Sequence, residues 1–234
     1  MDDVKDQLAD IRQRMAAACA RAGRPIEAVR LLAVSKNFPP EVLAAAAAQG
    51  QTDYAESYVQ EAIGKIAATE TLAGRRLCWH FIGPIQSNKT GTIAERFDWV
   101  HGVERLKIAE RLSAQRRADQ PVLNLCVQVN VSGEASKSGC APPVAAALCA
   151  AVAALPKVRL RGLMTIPAAA ETAEAARPAF RALRALHTAI RERGLVDGAQ
   201  FDTLSMGMSG DFEVAIEEGA TLVRIGSALF GRRD

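Results

Sequence analysis

The stretch LSMGMSGDFEVAIEEGATLVRIGSALFG, residues 204–231, holds the fold in miniature. A short apolar strand at Thr203–Leu204 runs into small residues: Ser205, Gly207, Ser209 and Gly210. A helix-like segment follows at Phe212–Glu217, then an apolar strand at Leu222–Ile225. Gly226 and Ser227 come next, ahead of a last short helix at Ala228–Phe230. Strands joined in this way through helices are normally parallel, because each helix returns the chain to the same end of the sheet.

The unit recurs toward the N-terminus. Apolar runs at Leu31–Val34, Asp53–Ala55, Cys78–Ile82, Trp99–Val100, Val122–Val129 and Leu160–Ile166 read as further strands. Between them lie helical stretches at Pro40–Gln49, Glu56–Ala68, Gln86–Arg96, Glu104–Arg117, Pro143–Leu155 and Ala173–Arg193. Eight candidate strands predict a closed (β/α)8 barrel as a single domain over 1–234. A doubly wound open sheet is the alternative. No Gly-x-Gly-x-x-Gly follows the first strand, which counts against a dinucleotide fold. An extra amphipathic helix is expected over residues 3–22, from Val4, Leu8, Ile11, Met15 and Ala18, with Gly23 as its stop. Alanine runs at 44–48, 145–154 and 168–176 sit in helical context, where alanine is favoured.

Composition excludes several classes. The chain has 234 residues, 49% hydrophobic and 24% charged, with a net charge of +3 and basic residues interleaved with acidic ones. Nucleic acid is therefore not an expected partner. Five cysteines, an odd number without a Cys-x-x-Cys pair, suggest neither a disulfide framework nor a zinc ribbon. No secretory signal or bilayer-spanning apolar run is visible, and a reducing cytoplasm is the expected compartment.

In a barrel, chemistry gathers at the C-terminal strand ends. Lys36 ends the first strand in LLAVSKNFPP. A partly desolvated lysine there is able to form a Schiff base, although position alone favours a plain surface lysine. Glu56 and Glu61 open the next helix, and Glu61 suits the helix dipole. His80 lies within the third strand, facing the mouth or sitting in the core, and Ser87, Asn88 and Lys89 read as capping and helix residues. Asn130, Ser132, Ser136, Lys137 and Ser138 form a polar loop, and Met164 suits core or pocket lining. The two loops after the seventh and eighth strands, with Ser209, Ser227 and the backbone N–H groups of a short helix, suit a phosphate. Arg224 stands beside them. These residues would serve pyridoxal 5′-phosphate (PLP) or a Schiff-base aldolase acting on a sugar phosphate.

The stretches LLAVSK, YVQE, WHFIGPIQSNK, VNVSGEASKSG, RGLMTIP, LSMGMSGDFEVAI and VRIGSALFG resemble, in order from Leu31 onward, the pyridoxal phosphate homeostasis proteins. That family is similar to the N-terminal barrel of alanine racemase. The resemblance implies that Lys36 holds PLP as a Schiff base. It implies phosphate contacts from Ser205, the Met206 backbone and Ser209, and from Gly226 and Ser227. Arg224 matches the arginine that faces the pyridine nitrogen, and His80 falls on a strand lining the pocket. The family usually shows Phe-Gly-Glu-Asn-Tyr where this chain has Tyr54-Ala55-Glu56-Ser57-Tyr58. That departure weakens the expectation of a polar contact from position 57 and leaves the lysine and the phosphate loops untouched.

An arginine beside the pyridine nitrogen keeps it unprotonated, so the ring is a weaker electron sink. Racemization stays chemically open but needs an acid or base on both faces of the substrate. In alanine racemase a tyrosine from a second domain of the partner subunit serves one face. This chain runs to Gly231-Arg232-Arg233-Asp234 directly after the barrel and has only Tyr54 and Tyr58. The expectation is an open pocket and a non-catalytic PLP carrier or regulator, monomeric or weakly dimeric, with PLP-dependent apo-enzymes as candidate recipients and no membrane partner. A PLP-dependent racemase or lyase is the alternative.

Overall fold

The computed structural model describes residues 2–69, 76–134, 137–168 and 171–231. Ser136 of the polar loop and the terminal residues 232–234 lie outside them. The strands are β1 (Arg30–Val34), β2 (Asp53–Glu56), β3 (Cys78–Phe81), β4 (Trp99–Val103), β5 (Leu123–Gln128), β6 (Val158–Met164), β7 (Thr203–Met208) and β8 (Leu222–Ile225). They close in sequence order into a parallel barrel, with β8 paired to β1 through Leu32↔Arg224 and its neighbours. The open-sheet alternative is thereby excluded.

The helices are α1 (Asp2–Arg21), α2 (Pro40–Ala48), α3 (Val59–Thr69), α4 (Thr90–Arg96), α5 (Leu106–Gln115), α6 (Pro142–Ala153), α7 (Arg177–Glu192), α8 (Phe212–Glu217) and α9 (Ser227–Phe230). Both α2 and α6 begin with proline in the first turn, where the missing N–H costs nothing. In α7, Phe180, Leu183, His187 and Ile190 fall on one buried stripe. Among the described residues β8 is followed by the single turn of α9, too short to cover the β8–β1 seam. Helix α1 packs against α2, α8 and α9 and takes the place of an eighth barrel helix. Leu8, Ile11, Met15 and Ala18 are its buried face. Arg14 binds Glu213 in α8 through two hydrogen bonds of 3.0 and 3.1 Å, and Arg21 binds Glu217 at 2.7 Å.

Side chains alternate across each strand. Leu31, Ala33, Tyr54, Trp79 and Phe81 join the main core against the helices. Leu32, Val34, Ala55 and Leu222 form a separate apolar cluster inside the barrel, and Trp99, Cys126 and Met164 a third. Between these two inner clusters runs a polar seam of fully or almost fully buried residues: His80, His101, Ser205 and Arg224.

Three boundaries depart from the sequence reading for identifiable reasons. β4 continues through His101 and Gly102, because the barrel interior supplies polar partners for the histidine. β7 continues through Ser205 and Gly207, small residues that read as loop. Its pairing advances from Ser205↔Leu222 to Met208↔Arg224, three residues against two, which is a β-bulge. Gly207 sits in it at φ 92°, and a Cβ there would lie 2.5 Å from the Ala215 Cβ. The helix expected from Glu56 starts instead at Val59, since Glu56 is the last residue of β2.

Candidate functional site

Lys36 follows β1 and is half-buried, and the residues on either side of it are tied down. The Ser35 hydroxyl donates to Glu56 Oε1 at 2.6 Å. Lys65, on α3 and almost fully buried, donates from Nζ to Glu56 Oε1 at 2.7 Å, to Glu61 Oε1 at 2.5 Å and to the Ser35 carbonyl at 2.5 Å. On the other side, the Asn37 N–H donates to Glu61 Oε1 at 2.5 Å. Asn37 takes φ 65°, a left-handed conformation that asparagine tolerates better than most residues. Phe38 packs on Phe230 of α9, ring centroids 5.3 Å apart, and so joins the loop after β1 to the loop after β8. Burial pushes the Glu56 carboxyl above its ordinary pKa, while the Lys65 and Ser35 hydrogen bonds oppose that shift. Its Oε2 is buried without a partner among the described residues.

The neighbouring side of the mouth, after β7 and β8, is built from backbone. The bulge at Gly207 turns β7 so that Ser209 faces the start of α9. Ser209 Oγ accepts from the Gly226 and Ala228 N–H groups, each at 3.3 Å. Two N–H groups converging on one oxygen make an anion-binding geometry. Asp211 closes the turn beneath, accepting from the Met208 N–H at 2.6 Å. Arg224, buried in the wall between the two sides, donates to Ser205 Oγ at 2.8 Å and to the Thr165 carbonyl at 2.8 Å. Burial lowers its pKa to about 10, with Asp211 opposing, so it remains a cation at neutral pH.

These parts face one cavity of about 380 Å3, lined by Lys36, Arg224, Ser57, Ser209, Gly210, Gly226 and Ser227 with apolar Val34, Ile82, Ile166 and Met208. Its size lies within the roughly 300–1,000 Å3 usual for small-molecule sites. An amine stands at one end, hydroxyls and N–H groups at the other, a fixed cation in the wall and apolar side chains between. Ser57 reaches the cavity, and Gly83 packs so tightly on it that a Cβ at 83 would lie 2.2 Å from the Ser57 carbonyl oxygen. A larger cavity of about 500 Å3, lined by Val131, Ser132, Pro167 and alanines, has no ionisable side chain among its described lining residues. Lys137 lines a third, adjoining cavity.

Three expected residues stand elsewhere. His80 is fully buried inside the barrel and does not line the cavity, because its ring nitrogens are held by Asp53 and His101. Ser205 and Met206 are also fully buried and outside the lining. Ser205 pairs with the first residue of β8 at the lower edge of the bulge, and its hydroxyl is engaged by Arg224 and His101. The contacts of Glu56, Glu61, Lys65, His101 and Asp53 reach across elements and leave little trace in the sequence pattern. The i,i+4 spacing of Glu61 and Lys65 was the available signal for the clamp. His101 gave no comparable signal, since its partners come from other strands.

Residues 7–234 match the family model described as alanine racemase, N-terminal domain. The pyridoxal phosphate homeostasis protein of Pseudomonas aeruginosa is 54% identical over 235 residues, covering 100% of this chain and 97% of that one. Its namesake from Escherichia coli K12 is 46% identical over 241 residues, covering 100% and 98%. The solved structure of PipY from Synechococcus elongatus, described as having PLP bound, is 35% identical with a TM-score of 0.79 and covers 94% of this chain and 100% of that one. Alanine racemase from Corynebacterium glutamicum shares the fold alone, at 16% identity and a TM-score of 0.66 over 97% of this chain and 61% of that one. With matches of this extent to both the family model and the curated relatives, the chain belongs to the pyridoxal phosphate homeostasis protein family, built on the alanine racemase N-terminal domain.

Proposed function

We propose that this chain binds PLP in the mouth cavity through a Schiff base on Lys36 and serves cytoplasmic PLP homeostasis without turning over an amino acid. The observation that carries the reading is the cavity itself. It brings the Lys36 amine and the Ser209, Gly226 and Ser227 group to one space, with Arg224 in the wall. The residues fit the cofactor: an amine for its aldehyde, N–H groups and hydroxyls for its phosphate, apolar side chains for its ring. The names of the relatives and the bound PLP of PipY agree with this ligand.

When bound, PLP supplies an aldehyde for a lysine amine and a conjugated ring that withdraws electrons. Lys36 presents its amine from a loop held on both sides by the Glu56–Lys65–Glu61 clamp. Ser209 and the Gly226 and Ala228 N–H groups bind the anionic end. Arg224, a cation at neutral pH, disfavours a second positive charge on a ring nitrogen facing it.

Lack of turnover is supported by the cavity's chemistry. Apart from Lys36 and Arg224, none of the described residues lining it is ionisable. Racemization needs a second acid or base on the far face of a substrate. The Tyr54 hydroxyl is buried and donates to the Leu43 carbonyl, and Tyr58, 58% exposed, is not among the lining residues. Handing PLP to apo-enzymes, and acting as a monomer or weak dimer, belong to the same reading.

Absorbance of the purified chain titrated with PLP tests it. A visible band that Lys36→Ala abolishes is the expected result. Ser209→Ala and Arg224→Ala should each weaken PLP retention; unchanged affinity in both would refute the assigned roles. Exchange of an amino-acid α-proton with deuterated solvent at catalytic rates would overturn the non-catalytic reading in favour of a racemase or lyase. Trapping of a sugar phosphate on Lys36 by borohydride, with no PLP band, would favour an aldolase.

A further inference from the structure

Three buried side chains and the half-buried Asp53 connect Arg224 to the far end of the barrel. Arg224 Nη1 lies 2.8 Å from Ser205 Oγ, and Ser205 Oγ lies 2.8 Å from His101 Nδ1. His101 Nε2 lies 2.9 Å from His80 Nδ1, and His80 Nε2 lies 3.2 Å from Asp53 Oδ1. Asp53 is the first residue of β2 and lines a separate cavity with Arg12 and Met15 of α1. The chain therefore runs from the wall of the mouth cavity to the barrel floor. β3, β4 and β7 contribute its middle.

Donor and acceptor chemistry gives this chain one direction. A guanidinium only donates, so Ser205 Oγ accepts from Arg224 and has its single proton left to give. His101 Nδ1 is the acceptor in reach, so His101 carries its proton on Nε2. That proton points at His80 Nδ1, which must accept. His80 then carries its own proton on Nε2 and donates to the Asp53 carboxylate. One assignment satisfies all five groups. In the reverse assignment, Ser205 would receive two donors while its own proton had no acceptor among the described partners.

The surroundings keep both imidazoles neutral. Burial, then His80, Arg224 and Arg30, hold His101 well below its ordinary pKa. Burial lowers His80 too, opposed by Asp53. The indole of Trp99 stacks on His80 at 5.3 Å, and the Arg30 and Arg161 guanidiniums cover that indole. Asp53, Cys78 and His80 are close enough together to hold a cation. Arg30, however, stands 3.5 Å from the same Asp53 oxygen, and burial pushes the Cys78 thiol up to about 12. A fixed cation beside the carboxylate and a reluctant thiol favour the hydrogen-bond chain over a metal.

We propose that Asp53, His80, His101 and Ser205 are positioning residues that hold Arg224 toward PLP through one directional relay from the barrel floor to the mouth. The proposal rests on the PLP reading for its purpose and on the protein alone for its geometry. The charge of Asp53 sets the polarity of the whole chain. Losing it lets the relay reverse, so that Ser205 receives two donors at once and holds Arg224 less firmly.

The test separates the two levels. The sequence holds three histidines, so 15N spectra of the imidazoles in the full-length protein without PLP are readily assigned. His80 and His101 are both expected as neutral Nε2–H tautomers at neutral pH. A protonated Nδ1 on either one overturns the relay, whatever the protein does with PLP. His187, on α7 and stacked against Phe201 at 4.5 Å, lies outside the chain and reports that a variant is folded. In Asp53→Asn, the His101 tautomer should change while the His187 signals stay, and PLP retention should fall roughly ten-fold. In a Ser205→Ala background, Asp53→Asn should change PLP retention less than about two-fold, because the link is already cut. Effects that multiply independently would overturn the coupling. Should Asp53→Asn not fold, Ser205→Ala against Ser205→Thr carries the test: threonine keeps the hydroxyl and should keep both the tautomers and the retention. Equal losses in the two variants would overturn it.

Discussion

The two ends of the mouth cavity hold their ligand groups by different physics. Around Lys36 the work is done by charged side chains: Lys65 bridges Glu56 and Glu61, and these carboxylates grip the backbone and hydroxyl of the neighbouring loop residues. At the loops after β7 and β8 it is done by backbone: a bulge at Gly207, two N–H groups and one serine hydroxyl. A charge clamp is sensitive to losing a side chain, since removal of one ion leaves another buried and unpaired. A backbone cradle is sensitive to gaining one, since a Cβ has nowhere to go. The two ends should therefore fail under opposite kinds of substitution.

The largest effect is expected at the charge clamp. Lys65→Met should destabilise the fold by about 3–5 kcal/mol, read as the urea midpoint, because Glu56 and Glu61 lose their cation. Adding Glu56→Gln to Lys65→Met should recover part of that loss; an additive further loss would show that the pair is not coupled. Next is Gly207→Ala at the cradle. Its positive φ and the 2.5 Å approach to Ala215 should cost roughly 1–3 kcal/mol and weaken PLP retention as the bulge shifts. An alanine tolerated there without loss would break the comparison.

Acid response sharpens it further by removing a contribution that belongs to neither end. Burial lowers the His187 pKa to about 4 from an ordinary 6.5, and its Nε2 has no partner among the described residues. Between those two values the unfolded chain binds the proton and the folded one does not, so stability falls as pH falls through that window. The loss is on the order of 3 kcal/mol, and His187→Phe should flatten the curve measured from pH 7 to pH 4. An unchanged slope in that variant would assign the acid sensitivity elsewhere. The smallest effect is expected for Ser209→Ala. It should change stability by about 1 kcal/mol or less, because N–H groups near the mouth regain water. PLP retention should still fall several-fold. A Tm loss as large as that of Lys65→Met would erase the distinction between the ends.

Much of this molecule is legible without its fold. Strand and helix alternation is a local property, written in apolar runs separated by amphipathic stretches, and it predicted the barrel. Lys36 at the end of β1 and the small residues after β7 and β8 are visible because their neighbours in sequence are also their context. The boundaries that shifted, at His101 and Ser205, shifted because polar residues end a strand in sequence logic. Inside the barrel they find partners on other strands and the strand continues.

The order of elements, the barrel class and the strand ends at which chemistry would stand are written locally along the chain. Which residues meet is set by folding. Closure of β8 on β1 brings Arg224 and Lys36 to one cavity although 188 positions separate them in numbering (224 − 36). The same closure turns the alternate residues of β2, β3, β4, β7 and β8 onto one interior, where Asp53, His80, His101, Ser205 and Arg224 become a single chain. The physical reason is that a hydrogen bond is made by distance and direction in space, and strand register, not sequence spacing, sets both.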